Sequence, residues 1–315
     1  MQYRRLGDSD LVVSEIALGS WLTYGDKVTD EHAVDCVHAA LDAGITLFDT
    51  ANVYGRGAAE ELLARAFTGI ERDRYVLATK VYMPMGRGEL GLSAAQVRKQ
   101  CDASLRRLGT DYIDIYQCHR FDSTTPLAET MGALTELVEA GKVRVTGFSE
   151  WTPENIEAAL AVPDVTPFRS SQPQYSMLWR RPETAVFPLC AAHGIGQIVY
   201  SPLAQGALSG KYRAGEPPPA TSRAAGRGTA SAMRAFSAEP VRAAVDRLRP
   251  LAGAAGLSMP QLALAWVLRR SEVAAAIVGA TRPEQIWQNV TASGVTLAPD
   301  LIAEIDAVLA SAVVG

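Results

Sequence analysis

The sequence predicts an α/β protein, a closed (β/α)₈ barrel of the TIM type formed by residues 1–315 as one domain. Eight short apolar or β-branched runs alternate with longer segments of helical period, which is typical of a parallel sheet covered by helices. A count of eight strands favours a closed barrel over an open sheet. The chain has 315 residues, more than the roughly 250 that such a barrel typically needs. No linker rich in Pro, Gly or Ser divides the chain in half.

The strands and helices are expected in alternation. Each strand is a short apolar or β-branched run, such as 45–48, and helix boundaries are marked by the N-cap residue Ser93 and by Gly44 and Gly141. Strands are predicted at 15–19, 45–48, 74–80, 112–116, 143–148, 168–172, 195–200 and 273–278. The helices that follow them are predicted at 30–43, 58–68, 94–108, 126–140, 153–161, 183–193, 239–255 with 260–270, and 283–291. An extra C-terminal helix at 299–310 closes the chain.

Two segments lie outside this alternation. Residues 3–13 contain a turn at Gly7-Asp8 and are expected to form an N-terminal β-hairpin that plugs the bottom of the barrel. Residues 213–236 follow the seventh strand and include Pro217-Pro218-Pro219, so a barrel places them on its catalytic face. A mobile lid and an ordinary surface loop are equally compatible with their composition.

Composition excludes several classes of protein. The formal net charge is −4 and the pI about 5.7, so no basic surface for nucleic acid is expected. No apolar run approaches the ~20 residues of a membrane span, and the N-terminus leads into no signal segment. The four widely spaced cysteines indicate reduced thiols and a cytoplasmic protein. His32, Cys36 and His38 share a helix, but His38 lies off the common face, so no metal site is expected.

Four residues are candidates for chemistry at the mouth of the barrel. Asp49, Lys80 and His119 stand at or just after the ends of three successive strands, and Tyr54 lies in the loop after Asp49. Taken singly, each has an ordinary structural explanation: a turn-capping Asp, a lysine reaching solvent and a buried histidine. The chain has only five lysines, however, and Lys80 ends an apolar strand. Because a buried lysine needs a partner, we expect it to pair with Asp49.

This grouping suits the reduction of a carbonyl group. A tyrosine hydroxyl has an ordinary pKa of about 10, and we expect the Lys80 ammonium to lower the pKa of Tyr54 so that it acts as a proton donor. Asp49 would hold the lysine, and His119 would orient the carbonyl oxygen. The hydride must come from a cofactor, since no side chain donates one.

The motif 49–55, Asp-Thr-Ala-Asn-Val-Tyr-Gly, resembles the aldo-keto reductase signature with its catalytic Asp and Tyr. Lys80 and His119 fall where that family keeps its Lys and His. The resemblance covers nearly the whole chain, and in particular it resembles the branch of potassium-channel β-subunits and their bacterial relatives. Further matching stretches are 105–114, 141–144, 147–149, 201–206 and 210–212.

The resemblance implies that NADPH binds in an extended pose at the barrel mouth. Ser149 and Gln172 would bind its carboxamide, Tyr200 would stack on its ring, and Arg282 would favour the 2′-phosphate of NADPH over NADH. From the nicotinamide to the adenosine end, the implied contacts are Ser20, Trp21, Asp49, Ser149, Gln172, Tyr200, Ser201, Pro202, Leu203, Ala204, Gln205, Gly206, Lys211, Arg223, Gly279, Thr281, Arg282, Gln285, Gln288 and Asn289. The segment at 279–282 leads into a helix N-terminus, which favours a phosphate.

A glycine pattern at 86–91 imitates a dinucleotide-binding fingerprint. It has the form GxGxxG after a strand, but all three glycines precede the expected N-cap Ser93, whereas the third fingerprint glycine packs within the helix. We therefore interpret it as a loop on the substrate side. Apolar walls for the carbonyl substrate are expected from Trp21, Tyr82 and Met83, beside Tyr54 and His119.

Three functions remain open. The first is an NADPH-dependent reductase of aldehydes or ketones; the second is an NADPH-binding redox-sensing subunit of a channel; the third is a reductase dedicated to a natural-product intermediate such as a keto-sugar. The channel branch can lack the catalytic histidine, so His119 favours turnover. Glu150 stands where relatives often carry Asn or Arg, and it would weaken the cofactor site or pair with Arg223. Tetramers in the channel branch suggest a homo-oligomer.

Overall fold

A closed barrel of eight parallel strands forms the centre of the molecule, as predicted. The computed structural model describes residues 1–21, 29–219, 222, 224 and 233–315. Neighbouring barrel strands pair in chain order, and the last pairs with the first. The barrel strands are β3 (Ile16–Gly19), β4 (Leu47–Asp49), β5 (Val76–Val81), β6 (Ile113–Cys118), β7 (Val143–Ser149), β8 (Ser170–Gln172), β9 (Gly196–Val199) and β10 (Val273–Val278).

Helices follow the strands and cover the outside of the barrel. Ser93 caps α3 by accepting a hydrogen bond from the amide of Gln96, as the sequence predicts. In the described part of the chain the helices are α1 (Asp30–Asp42), α2 (Ala58–Ala66), α3 (Ala94–Leu108), α4 (Leu127–Glu139), α5 (Pro153–Leu160), α6 (Val186–Ala192), α7 (Glu239–Ala254), α8 (Met259–Leu268), α9 (Pro283–Val290) and α10 (Pro299–Leu309).

Boundaries differ from the expectation where a 3₁₀ turn intervenes. The strand expected at 74–80 begins at Val76, because Arg72–Arg74 form such a turn, and it continues to Val81. The helix expected at 183–193 begins at Val186, because Arg181–Glu183 form a separate turn before it. Both changes leave the strand ends at the mouth within one residue of their expected places.

The N-terminal hairpin closes the bottom of the barrel, as predicted. Strand β1 (Tyr3–Arg5) pairs antiparallel with β2 (Val12–Ser14). Gly7 has a φ of +53°, and a Cβ there would stand 2.2 Å from the carbonyl oxygen of Gly194, so only glycine fits this turn. The buried hairpin residues continue the apolar barrel interior, which comprises Leu6, Leu11, Val13, Ala17, Leu47, Val76, Ala78, Ile115, Val145, Ile198, Ala274, Ala275 and Ile277.

Among the described helices, no single one has the length and apolarity to cross a bilayer. Helices α7 and α8 taken together have the length and composition for it, but the pair is bent by 88°.

Candidate active site

A buried ion pair lies at the carboxyl ends of β4 and β5. Lys80 is fully buried, and its Nζ lies 2.8 and 2.7 Å from the two carboxylate oxygens of Asp49. The third donor of Nζ goes to the carbonyl oxygen of Thr50 at 2.8 Å. Gln172, at the end of β8, donates to Asp49 Oδ1 at 2.8 Å. The expected pairing is confirmed, and all three ammonium hydrogens are used within it.

Tyr54 and His119 meet above this pair. Their rings form an edge-to-face contact with centroids 5.8 Å apart, and Lys80 Nζ lies 5.2 Å from the centroid of the Tyr54 ring. The backbone explains the convergence: β4 ends at Asp49, Tyr54 begins a 3₁₀ turn after it, and the amide of His119 donates to Val81 O on the neighbouring strand. The structure therefore brings the four predicted residues into one cluster.

The histidine is held in its neutral form. Burial, reinforced by the positive charges of Lys80 and Arg120, lowers the pKa of His119 to about 2. Its Nδ1 is buried and has no hydrogen-bond partner among the described residues. The other ring nitrogen of this neutral imidazole, Nε2, is the one suited to hydrogen bonding with a substrate oxygen.

The pKa of Tyr54 is raised, whereas the sequence predicted that it is lowered. Burial raises its pKa well above the ordinary value, and the Asp49 carboxylate raises it further. The expected net lowering of the pKa by Lys80 is therefore wrong, because burial is the largest cause of the rise and the Lys80 ammonium is engaged by Asp49. The cation that opposes the rise is Arg120.

Arg120 is a residue of the mouth that sequence reasoning missed. It follows His119 directly, and its Nη1 donates to His119 O at 2.5 Å and to Ser149 Oγ at 3.4 Å. The signal was available, since a charged residue at the end of a strand is the criterion that selected Asp49 and Lys80.

Comparison with known proteins agrees with this arrangement. A model of the aldo/keto reductase family matches residues 15–310. The chain belongs to the aldo/keto reductase family. This is a family of oxidoreductases in which binding of NADP is typical.

Three relatives match this aldo/keto reductase over almost its whole length. A probable voltage-gated potassium channel subunit beta from Oryza sativa subsp. japonica is 36% identical over 320 residues, which cover 99% of this chain and 97% of the relative. A protein of the same description from Arabidopsis thaliana is 36% identical over 321 residues, with the same two coverages of 99% and 97%. A putative voltage-gated potassium channel subunit beta from Schizosaccharomyces pombe is 36% identical, covering 98% of this chain and 93% of the relative.

The residues expected at the nicotinamide carboxamide are neighbours in this aldo/keto reductase. Ser149 and Gln172 pair across β7 and β8, and Ser149 Oγ donates to Gln172 O at 2.9 Å. Tyr200 follows β9, and its hydroxyl donates to Gln174 Oε1 at 3.5 Å. Glu150 Oε1 accepts from the Gln174 amide at 2.6 Å, and after burial its charge is the largest cause of the raised pKa of Tyr200. The suggested partner Arg223 lies outside the described residues.

The loop after β9 is the expected contact for the pyrophosphate. Ser201, Ala204, Gln205 and Gly206 all have positive φ, between 48° and 103°. The amides of Ala204 and Gly206 donate within the loop, to the carbonyl oxygens of Ser201 and Leu203. A Cβ on Gly206 would lie 3.7 Å from Nζ of Lys211, so this ammonium stands over the open glycine. Pro202 is buried and Leu203 is half-buried. The Lys211 ammonium is a donor that fits an anionic group.

The expected adenosine end lies where β10 leads into α9. Arg282 is the residue before α9, and both it and Thr281 are exposed. Gln285 Oε1 accepts from the Thr281 amide at 2.8 Å, which ties the turn to the helix. Within the expected set at this end, Gly279 and Gln288 are exposed and Asn289 is buried.

The remaining predicted residues surround the cluster. Ser20 Oγ donates to Thr50 Oγ1 at 2.9 Å, and Trp21 after it is exposed. Tyr82 and Met83 are half-buried at the start of the loop after β5. The expectation of a loop at 86–91 is confirmed, because α3 begins only at Ala94, after all three glycines.

A polar chain connects the Tyr54 loop to the loop after β5. Asn52, fully buried, donates from Nδ2 to Gln100 Oε1 at 3.1 Å, and Gln100 Nε2 reaches Glu89 at 3.3 Å.

Among the described residues, no group of three or more His, Cys, Asp or Glu side chains is arranged to hold a metal ion.

Proposed function

We propose that this protein is an NADPH-dependent oxidoreductase that reduces aldehydes or ketones to alcohols, with Tyr54 as the general acid. The observation that supports the proposal most is the contact of the Tyr54 ring with His119 and with the Lys80 ammonium at the barrel mouth. The phenol that would donate the proton and a neutral ring that would hydrogen bond to the same oxygen thus lie side by side. Membership of a family of oxidoreductases agrees with it.

NADPH would be held by the carboxamide pair Ser149 and Gln172, by the loop 201–206 with Lys211, and by the turn before α9 with Arg282. When bound there it would supply the hydride, which no side chain can donate. Lys80 and Asp49 form an ion pair with no net charge beneath the site, and this pair would fix the positions of the groups above it. The half-buried Tyr82 and Met83 and the exposed Trp21 would wall the substrate.

Tyr54 would supply the proton that converts the carbonyl oxygen into a hydroxyl. Its raised pKa keeps the phenol protonated at neutral pH. As the carbonyl oxygen gains negative charge during reduction, it becomes more basic than a phenolate, so proton transfer from Tyr54 is downhill. His119, neutral and adjacent, would hydrogen bond to the same oxygen and hold it in place.

The acid role is tested with a Tyr54→Phe variant. NADPH consumption is followed by absorbance against a panel of aldehydes, ketones and keto-sugars, and kcat should fall by at least ~100-fold. Affinity for NADPH, measured by fluorescence titration, should change little. A Tyr116→Phe variant is the matched control, because that hydroxyl donates to Val97 O at 3.4 Å, under helix α3. A Tyr54→Phe protein as active as wild type would exclude the acid role.

The cofactor preference is tested with an Arg282→Glu variant. If Arg282 binds the 2′-phosphate, the Kd for NADPH should rise by roughly tenfold or more, because a charge-assisted contact is replaced by a repulsion. The Kd for NADH, which lacks that phosphate, should change little. Equal weakening of both cofactors would contradict the assignment.

A regulatory role is the second candidate, since three relatives at 36% identity are described as potassium channel β-subunits. It predicts tight NADPH binding with very slow turnover of every compound in the panel, together with a stable complex with a channel. Brisk turnover would favour the reductase.

A further inference from the structure

Arg120 is a cation at the barrel mouth for which the described residues offer no acidic partner. No carboxylate lies within ion-pair distance of it in that part of the chain, although other arginines, such as Arg98 and Arg107, have one. Its Nη1 is anchored by His119 O and Ser149 Oγ. Its Nε and Nη2 have no hydrogen-bond partner in the described part of the chain. The side chain is half-buried, so the cost of leaving its charge unpaired is substantial.

The charge of Arg120 is not offset by the groups around it. Lys80 and Asp49 neutralise each other at 2.7 Å, and His119 is uncharged at neutral pH. Glu150 is exposed, and its carboxylate is directed to the Gln174 amide beside Tyr200. Arg120 is therefore a cation beside Tyr54 and His119 whose charge no ion pair among the described residues neutralises, and it favours an anion there.

The anchoring of Arg120 leaves a defined edge of the guanidinium open. With Nη1 tied to the barrel, the Nε and Nη2 hydrogens form a planar fork, which matches the two oxygens of a carboxylate. The charge of Arg120 acts on both His119 and Tyr54, so this fork lies near the ring that would hold the carbonyl oxygen. A substrate that spans the two would carry its carboxylate a short distance from its carbonyl group.

We propose that Arg120 binds a carboxylate of the substrate, so that the preferred substrates are aldehydes or ketones that bear a carboxylate group. This inference rests on the proposed reductase function, and it adds the substrate class. Arg120 is then a specificity residue in contact with the substrate, while the proton donor and the cofactor contacts remain those described above.

The test compares an anionic aldehyde with a neutral one of the same skeleton. The probes are para-formylbenzoate and its methyl ester, and kcat/KM is measured for each with wild type, Arg120→Met and Arg120→Lys. The ratio of the anionic to the neutral value should fall by roughly tenfold or more in Arg120→Met, which corresponds to about 1.4 kcal/mol. Arg120→Lys should retain part of the preference, since it keeps the charge and loses the fork.

A remote arginine provides the control. Arg98→Met makes the same change on the surface of α3, where the side chain pairs with Glu136, and it should leave the ratio as in wild type. Thermal unfolding of each variant establishes that it is folded. An unchanged ratio in Arg120→Met would overturn the proposal. An equal loss of kcat/KM for both aldehydes, together with a higher Kd for NADPH, would also overturn it, because it would identify Arg120 as a cofactor contact.

Binding without turnover separates this proposal from the reductase function. Calorimetry measures the binding of para-formylbenzoate and of its neutral methyl ester to protein saturated with NADP⁺, which cannot reduce them because it is already oxidised. Wild type should bind the anion more tightly, and Arg120→Met should lose that difference. Absence of turnover with any aldehyde would refute the reductase function alone, whereas equal binding of the two aldehydes would refute the role of Arg120.

Discussion

Because His119 is neutral in the folded protein, the free energy of unfolding should fall at acidic pH. The substitution His119→Gln should remove this part of the pH dependence. In the folded protein burial lowers the pKa of His119 to about 2, whereas an unfolded histidine has a pKa of about 6.5. Below that value the unfolded chain binds a proton that the folded protein excludes. The contribution of neutral His119 to the free energy of unfolding is therefore fully present above about pH 6.5. It is lost progressively as the pH falls toward the folded pKa.

The magnitude follows from the separation of the two pKa values. One proton bound only in the unfolded state changes the free energy of unfolding by about 1.4 kcal/mol per pH unit. Between about pH 7 and about pH 5, some 1.5 units lie below the unfolded pKa, so wild type should lose about 2 kcal/mol from His119 alone. The ring is only 7% exposed, so solvent screening reduces this little.

The assay is equilibrium unfolding in urea for wild type and His119→Gln at both pH values. Glutamine keeps hydrogen-bonding groups but does not titrate, so the free energy of wild type relative to the variant should fall by about 2 kcal/mol on acidification. His32→Gln is the matched control, because His32 is exposed on α1 and its loss should leave the pH dependence unchanged. A wild-type to variant difference that is the same at both pH values would refute the buried, neutral histidine.

Two further substitutions test the floor and the anion loop of the site. Lys80→Met should lower the free energy of unfolding by about 3–5 kcal/mol, because it leaves Asp49 buried without its cation. Adding Asp49→Asn should restore part of that loss, as measured by urea unfolding. A double variant no more stable than Lys80→Met would contradict the ion-pair argument. Gly206→Ala should cost about 1–2 kcal/mol through strain at positive φ and should also raise the Kd for NADPH. Gly69→Ala, at a φ of +80° with nothing near its Cβ, should show the strain without the change in cofactor affinity.

The order of elements was determined by local sequence. Alternating apolar runs and capped helical segments predicted the eight barrel strands and the cover of helices, because hydrophobic period and capping are properties of short segments. The same reasoning placed Asp49, Lys80 and His119 at the mouth, since parallel barrel strands all end on one face. Boundaries were less accurate at Arg72–Arg74 and Arg181–Glu183, where a 3₁₀ turn competes with the adjoining strand or helix.

The direction of electrostatic effects was decided by tertiary structure. The sequence predicted the pairing of Lys80 with Asp49, but it also predicted that Lys80 lowers the pKa of Tyr54. In the fold Lys80 directs all three donors to Asp49 and Thr50, and burial raises the pKa of Tyr54. Among the described residues, Arg120 has no ion-pair partner because of which side chains the barrel brings together. Desolvation and charge pairing depend on residues distant in the chain, so they follow from packing, whereas the type and order of the elements follow from the sequence itself.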